Sequence, residues 1–370
     1  MKAVLAVLLL LAATCVWASM PEVDDYVAEK MHDHLVPGLA LVVIRDGQVL
    51  HRRGFGELDT TRPIIIGSLS KAITATAVLT LVEDGKIELD VPMQRYLPGM
   101  SFKDPGLAEV TVRQLLNQTS GIPTHAARAP SQDATLAEHV EALRDTPLVA
   151  KPGESHLYSS PNYQLLGRIV EVVSGQSFAA YVQSRVLGPL QMTSSSMTGA
   201  ENAAIGHNLW WGLAGPSAYR WEQGRLPTAS IVTSADDLAK FVLSQLGVGP
   251  QILTAQSRAL QHLGVGEADG FSYAMGWRAG TTVGVPSLWH GGALPSYRGA
   301  VVMLPESRSA VIVLTNMSSM FADHTREIAA GVVALLEKRP LPTGVRPLRD
   351  VYVAIAAGSL LLVGFALFGF

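Results

Sequence analysis

Cysteine occurs once in the 370 residues, at Cys15, which excludes a disulfide framework and any zinc site built on thiolates. Charge is scarce too: Asp, Glu, Lys and Arg make up 16% of the chain, against ~25% in an average globular protein. The 28 basic and 31 acidic residues leave a net charge of −3, and no basic run is interleaved with aromatics. Nucleic acid is therefore not expected as a partner. The G-x-S-x-G elbow, the H-E-x-x-H pair, the Walker loop and the Rossmann glycine fingerprint are all missing, which argues against α/β-hydrolase, zincin and nucleotide chemistry. His32-Asp33-His34 reads as a solvated helix end rather than a metal site, because no third ligand is nearby in sequence. What the chain has in quantity is apolar surface, 48% of residues, enough to bury a sizeable core and to rule out intrinsic disorder.

Part of that apolar content sits at the ends. Residues 1–18 carry Lys2, an apolar stretch Ala3–Ala13 and the small-residue triplet Val16-Trp17-Ala18, the pattern of a cleaved secretory leader. Export to the periplasmic or extracellular face is the expectation, and Thr14 before Cys15 fits a lipoprotein acceptor poorly. Val351–Phe370 contains no charge and has the ~20-residue length of a membrane helix, so a C-terminal membrane anchor is expected.

Between the ends, Val23, Val27, Met31 and Leu35 recur at helical spacing and stop before Pro37. Gly38–Arg45 and Gln48–Gly56 read as strands joined by Asp46-Gly47, a strong hairpin signal. Ser70–Asp84 reads as a helix closed by Gly85. A helical, loop-rich stretch follows from about residue 87 to 262, with helices expected at Val112–Gln118, Leu136–Arg144, Asn162–Ser174 and Ala235–Leu246. Strands return at Phe271–Arg278, Leu288–Gly291, Tyr297–Leu304 and Ala310–Thr315, before a last amphipathic helix at about Ala322–Glu337. Strands at both ends with helices between imply an α+β fold, an antiparallel sheet interrupted by a mainly helical insertion. The sheet part would span about residues 19–86 and 263–340 of a catalytic domain covering 19–340.

The chemistry concentrates at Gly67-Ser68-Leu69-Ser70-Lys71, at the mouth of a helix directly after the apolar run Ile64–Ile66. Ser68 and Lys71 stand three apart, on one face within a turn. A serine hydroxyl is a weak nucleophile until a base takes its proton, and a lysine can be that base if burial or nearby cations lower its pKa. Backbone N–H groups at the helix mouth would favour an oxyanion formed there. An N-capping serine followed by a solvated lysine is the plainer alternative for this short pattern.

Tyr158-Ser159-Ser160-Pro161-Asn162-Tyr163 opens another helix 158 − 68 = 90 residues on, and His290-Gly291-Gly292 follows on a strand after a further 290 − 158 = 132. In this order the three segments resemble the serine β-lactamase and penicillin-binding-protein superfamily, particularly its class C β-lactamase, DD-peptidase and esterase branch. The framing segments Val110–Leu116 into Thr119-Ser120-Gly121-Ile122-Pro123, then Leu165-Leu166-Gly167 and Ser234–Leu238, are similar as well. The likeness runs from about Val23 to Glu337, and the fold it implies agrees with the one read from the strand and helix pattern.

The resemblance implies that Ser68 is the acyl-accepting nucleophile, Lys71 its base partner and Tyr158 the shuttle that protonates the leaving group. It sets Ser160 where the family usually carries Asn, although Ser before Pro161 is also a good N-cap and N1 pair. It sets His290 and Gly292 where Lys and Gly of Lys-Thr-Gly usually stand, and makes the Ala293 N–H the second oxyanion donor beside that of Ser68. A histidine titrating near pH 6.5 would hold a substrate carboxylate less firmly than a permanent cation, so His290 and Ser160 lean the substrate towards an ester or an unassigned peptide. Thr282 and Ser296 are candidates for the missing hydroxyl. Trp210-Trp211 could wall the cleft against an acyl chain or simply pack. The expected protein is an exported serine hydrolase acting on an ester, β-lactam or D-Ala peptide without metal or organic cofactor. The alternative is a catalytically silent binding protein that keeps the fold.

Overall fold

The computed structural model describes residues 20–124, 131–210, 212–217, 219–319 and 321–368. The leader read at residues 1–18, Cys15 within it, and Trp211 lie outside the described residues. β1 (Gly38–Arg45) and β2 (Gln48–Gly56) form the expected hairpin. Asp46 and Gly47 take φ of 51° and 77°, the left-handed pair that a two-residue hairpin loop requires. Six more strands follow late in the chain: β3 (Val265–Ala268), β4 (Phe271–Ala274), β5 (Trp277–Thr282), β6 (Val285–Leu294), β7 (Tyr297–Leu304) and β8 (Ser309–Thr315). They complete one eight-stranded antiparallel sheet in the order β2-β1-β8-β7-β6-β5-β4-β3. The two ends of the sequence meet where Leu39 of β1 lies opposite Thr315 of β8.

The longer helices are α1 (Pro21–His34), α2 (Ser70–Glu83), α3 (Ser160–Ser174), α4 (Ala235–Gln245), α5 (His324–Leu336) and α6 (Leu348–Phe368). The central strands are apolar throughout because both of their faces are covered. In β1 the alternation sends Leu39, Leu41 and Val43 into one core with Val27 of α1 and Val332 of α5. Ala40, Val42 and Ile44 enter the other, with α2, α3 and α4. α2 is buried on every side from Ser70 to Leu81, which explains why Lys71 is its only basic residue. Burying Ile73, Val78, Leu79 and Leu81 contributes about 1.5–3 kcal/mol each. Its buried hydroxyls are satisfied locally, Thr74 donating to Ser70 O at 3.1 Å and Thr76 to Ala72 O at 3.0 Å.

Three readings are corrected. Phe271–Arg278 is not one strand: it turns at Met275-Gly276, with Gly276 at φ 85°. A Cβ there would stand 2.6 Å from Ala72 Cα, so this tight β4–β5 turn presses on the first turn of α2. The helical stretch also holds a small hairpin, Gly206–Trp210 with Leu213–Ser217, whose Gly- and Pro-containing sequence gave no strand signal. Finally, the C-terminal segment is helical over Leu348–Phe368, yet no helix among the described residues is long and apolar enough to cross a membrane. The first turn of α6 is spent on the domain instead. Arg349 pairs with Asp33 of α1 at 3.3 Å, and the Tyr352 ring meets Phe321 edge-on at 5.9 Å.

Candidate functional site

Gly67–Leu69 form a single 3₁₀ turn that runs into α2, so Ser68 sits at the helix mouth, half-buried. Lys71, one turn on, is wholly buried. Its Nζ donates to Ser68 Oγ at 3.1 Å and to the Thr228 carbonyl at 3.0 Å, and it lies 5.0 Å from the Tyr158 ring centre. Burial is the largest influence on the amine and pushes its pKa below the usual lysine value. Tyr158 opposes this, and the guanidinium groups of Arg225 and Arg278 add to it. The solvated-lysine alternative therefore fails, and Lys71 has the environment of a base.

The strand facing Ser68 is β6. It pairs with β5 only from Val285 to Trp289 and with β7 from Leu288 to Leu294. Beyond Trp289 its backbone is therefore open on the side of the Ser68 turn. Two glycines make the approach possible. Gly67 has φ 56°, and a Cβ on it would stand 2.8 Å from Ala293 N. A Cβ on Gly292 would collide with the carbonyl oxygen of Ile66. Ala293 N thus lies beside the nucleophile's own turn, the arrangement an oxyanion pocket needs.

Tyr158 is held from behind. Gln118, buried with φ 59°, accepts from Ser159 N at 2.9 Å and from Asn162 Nδ2 at 2.6 Å. Ser120 donates to Asn162 Oδ1 at 2.7 Å, and Thr124 donates to the Tyr158 carbonyl at 2.7 Å. The segment from Gln118 to Thr124 is thereby a clamp on the Tyr158 loop. Ser160 departs from the capping alternative, because it is already the first helical residue. The capping position belongs to Ser159, whose hydroxyl makes no cap bond and donates to Pro123 O at 3.0 Å. The Ser160 hydroxyl, half-buried, has no protein partner among the described residues.

His290 is not a cation titrating near pH 6.5. It is buried, and burial, followed by the charges of Arg278 and Lys71, drives its pKa well below that value. Its Nδ1 is 2.7 Å from the Gly291 carbonyl, which can only accept, so Nδ1 carries the proton. Nε2 then accepts from Tyr273 Oη at 3.2 Å, and burial keeps that phenol protonated, its pKa well above 10. The pair is a neutral post against the Tyr158 ring, 6.1 Å from His290.

The sequence reading missed the cation that does reach this wall. Arg278 lies 5.6 Å from the Tyr158 ring centre and 4.8 Å from that of Trp289, and its buried Nε has no hydrogen-bond partner. An isolated arginine in a strand carries no motif, and only the β4–β5 turn brings it here. Gln118, Thr228 and Tyr273 were missed for the same reason. Thr282 and Ser296 do not supply the missing hydroxyl: Thr282 bonds Ser287 at 2.8 Å and Arg326 at 3.1 Å, and Ser296 is enclosed beside Gly206. His34, read as solvated, is buried against Glu327 at 2.9 Å. Among the described residues no group of three or more His, Cys, Asp or Glu is arranged to hold a metal ion.

A buried amine on a helix-mouth serine, a tyrosine beside it and a glycine-bearing strand opposite come together on a β-lactamase/transpeptidase-like fold. Residues 23–335 match the Beta-lactamase family, and the chain belongs to it. It is 34% identical to penicillin-binding protein 4 of Amycolatopsis lactamdurans, over 86% of this chain and 94% of that protein. Protein flp of Staphylococcus aureus strain N315 is 27% identical over 82% of this chain, which spans only 64% of that relative's length. Among solved structures, the octameric penicillin-binding protein homologue from Pyrococcus abyssi superposes with a TM-score of 0.79 at 27% identity, covering 89% of this chain and 79% of that one. A class C β-lactamase gives 0.74 at 19% identity, over 85% of this chain and 95% of the other, a likeness of fold.

Proposed function

We propose that the chain is an exported serine hydrolase that works through an acyl-enzyme on Ser68. The observation that carries this reading is the 3.1 Å contact between Ser68 Oγ and a fully buried Lys71 whose pKa is lowered. Neutral Lys71 takes the Ser68 proton as Oγ bonds to the substrate carbonyl carbon. The negative oxygen so formed is held by the N–H groups of Ser68 and Ala293. Collapse breaks the bond to the leaving group, which takes a proton from the Tyr158 hydroxyl, and the lysine ammonium returns one to Tyr158. Water then cleaves the acyl-serine with the same groups in reverse. Ser160, with its free hydroxyl, would contact the substrate near the scissile bond.

Esters, D-Ala peptides and β-lactams are all acyl donors for such a site. Neutral, buried His290 offers no charge to a substrate carboxylate, whereas Arg278 offers a permanent one at the Tyr158 wall. A charge-assisted hydrogen bond is worth roughly 1.5–3 kcal/mol, on the order of 10–100-fold in rate when felt in the transition state. Steady-state kinetics on 4-nitrophenyl acetate and on nitrocefin test the reading. Both should be consumed by wild type, the neutral ester with the higher kcat/KM, and Arg278→Gln should lower the nitrocefin value more than the acetate value. Equal losses on the two substrates would remove Arg278 from carboxylate recognition, and no turnover of either would overturn the hydrolase.

A further inference from the structure

β6 carries the proposed oxyanion donor at Ala293 and then runs on into a cavity of about 620 Å³, which Ala293 lines but Ser68, Lys71 and Tyr158 do not. Leu209, Trp210, Leu294, Phe321 and Tyr352 give it apolar walls, and Trp210 and Phe321 stay 65% and 55% exposed. Exposed large apolar side chains gathered around one hollow mark a binding surface, and the volume is that of a small-molecule site. Besides the end of β6 and Arg298 of β7, three separate parts of the chain build it: the Gly206–Ser217 hairpin, the segment after β8, and the start of α6. Tyr352 of α6 ties them together, meeting Phe321 at 5.9 Å and lying 3.1 Å from where a Cβ of Gly212 would stand. Arg298, the one cation among the described residues of the wall, is already engaged: it donates to the Ser319 carbonyl at 2.6 Å and to Ser318 Oγ at 3.3 Å, and pairs with Asp323 at 3.5 Å. The cavity therefore suits an uncharged apolar group rather than an anion.

Direction along β6 says which part of a substrate that group is. Arg278 and Tyr158 flank the strand at its Trp289 end, and the cavity opens past Ala293 at its Leu294 end. If Tyr158 protonates the leaving group, that group lies towards Trp289, and the acyl part must extend the other way. We infer that this cavity is an acyl-chain subsite, taking a medium-length alkyl or aryl acyl group, and that the C-terminal helix contributes a specificity wall through Tyr352. The inference rests on the acyl-enzyme reading of Ser68.

The test is a chain-length series on the full chain. For 4-nitrophenyl esters from acetate to octanoate, kcat/KM should rise at least about tenfold, since each methylene entering an apolar pocket adds discrimination. In Trp210→Ala and in Tyr352→Ala the octanoate-to-acetate ratio should fall towards one; two variants in different elements guard against one failing to fold. Alkyl acetates, which lengthen the alcohol instead, should show no such rise. A flat acyl series with acetate still consumed, or a rise confined to the alkyl acetates, overturns the subsite and leaves the hydrolase standing. Dimerisation in sedimentation that Trp210→Ala abolishes, together with a flat series, would assign the patch to a second copy. Binding of decanamide to Ser68→Ala, by calorimetry, separates the two claims. Should no ester be consumed, decanamide binding weakened by Trp210→Ala supports the subsite while refuting the hydrolase, and absence of binding refutes both.

Discussion

In the proposed mechanism the chemistry turns on Lys71, which the fold buries with Ser68 Oγ and the Thr228 carbonyl as its hydrogen-bond partners and no paired carboxylate among the described residues. An unpaired buried ammonium is costly, and the amine relieves that cost by giving up its proton. Lys71→Ala should therefore lower the rate of Ser68 acylation by about 10²–10⁴-fold, the range of a lost general base, as measured by nitrophenolate release from 4-nitrophenyl acetate. The pH profile gives a sharper reading. Acylation should switch on along an ascending limb below the usual lysine pKa, since only the neutral amine can accept the proton. Arg278 disfavours the protonated amine and so lowers its pKa; Arg278→Gln should shift that limb to higher pH. A limb that moves to lower pH, or stays fixed, would mean that another group is titrating.

At the scale of elements, the site depends on how closely β6 approaches the Ser68 turn, and Gly292 sets that distance. A methyl group there meets the Ile66 carbonyl, which sits in backbone and cannot swing aside as a flexible side chain would. Gly292→Ala should push strand and turn apart, cutting acylation by at least tenfold. Overpacking of this kind costs about 1–3 kcal/mol, so the thermal midpoint should also fall by several degrees. Calorimetry and ester kinetics on the variant check both, and wild-type values in each would mean that the strand does not supply the oxyanion donor. Much of this element-level order was legible in sequence. Asp46-Gly47 announced its hairpin, the one-turn spacing of Ser68 and Lys71 their contact, and Gly291-Gly292 a strand that something approaches. What could not be read depends on contacts distant in sequence. Gln118 reaches Ser159 and Asn162 across more than forty positions, and Arg278 arrives beside Tyr158 through a turn whose tightness comes from Ala72. The capping alternative for Ser160 was off by a single position, because either serine of the pair fits a helix start. The anchor expected at Val351–Phe370 rested on apolar content alone, which says nothing of the contacts that tie the start of α6 to Asp33 and Phe321.

For the whole molecule, the two cores bury imidazoles in the neutral form. His324 opens α5 against Thr315 of β8 and His290 stands in the site wall, both with pKa well below 6.5, while burial takes His262 down to about 4. In the unfolded chain each would bind a proton near pH 6.5. As pH falls through that value the unfolded state takes up protons that the folded state refuses, so stability is lost with acidity, at up to about 1.4 kcal/mol per pH unit for each such group. The thermal midpoint should drop steadily from pH 7.5 to 5, and a flat or rising midpoint over that range would show that the histidines are not held neutral. The central claim nevertheless concerns one bond, between Ser68 Oγ and an acyl carbon, and covalent capture tests it most directly. After incubation with a fluorophosphonate, intact-mass analysis of the wild type should show a single adduct, mapping by peptide fragmentation to Ser68, while Ser68→Ala stays unmodified and keeps a wild-type melting profile. Full labelling of the Ser68→Ala protein, or an adduct mapping to any other residue, would contradict the account.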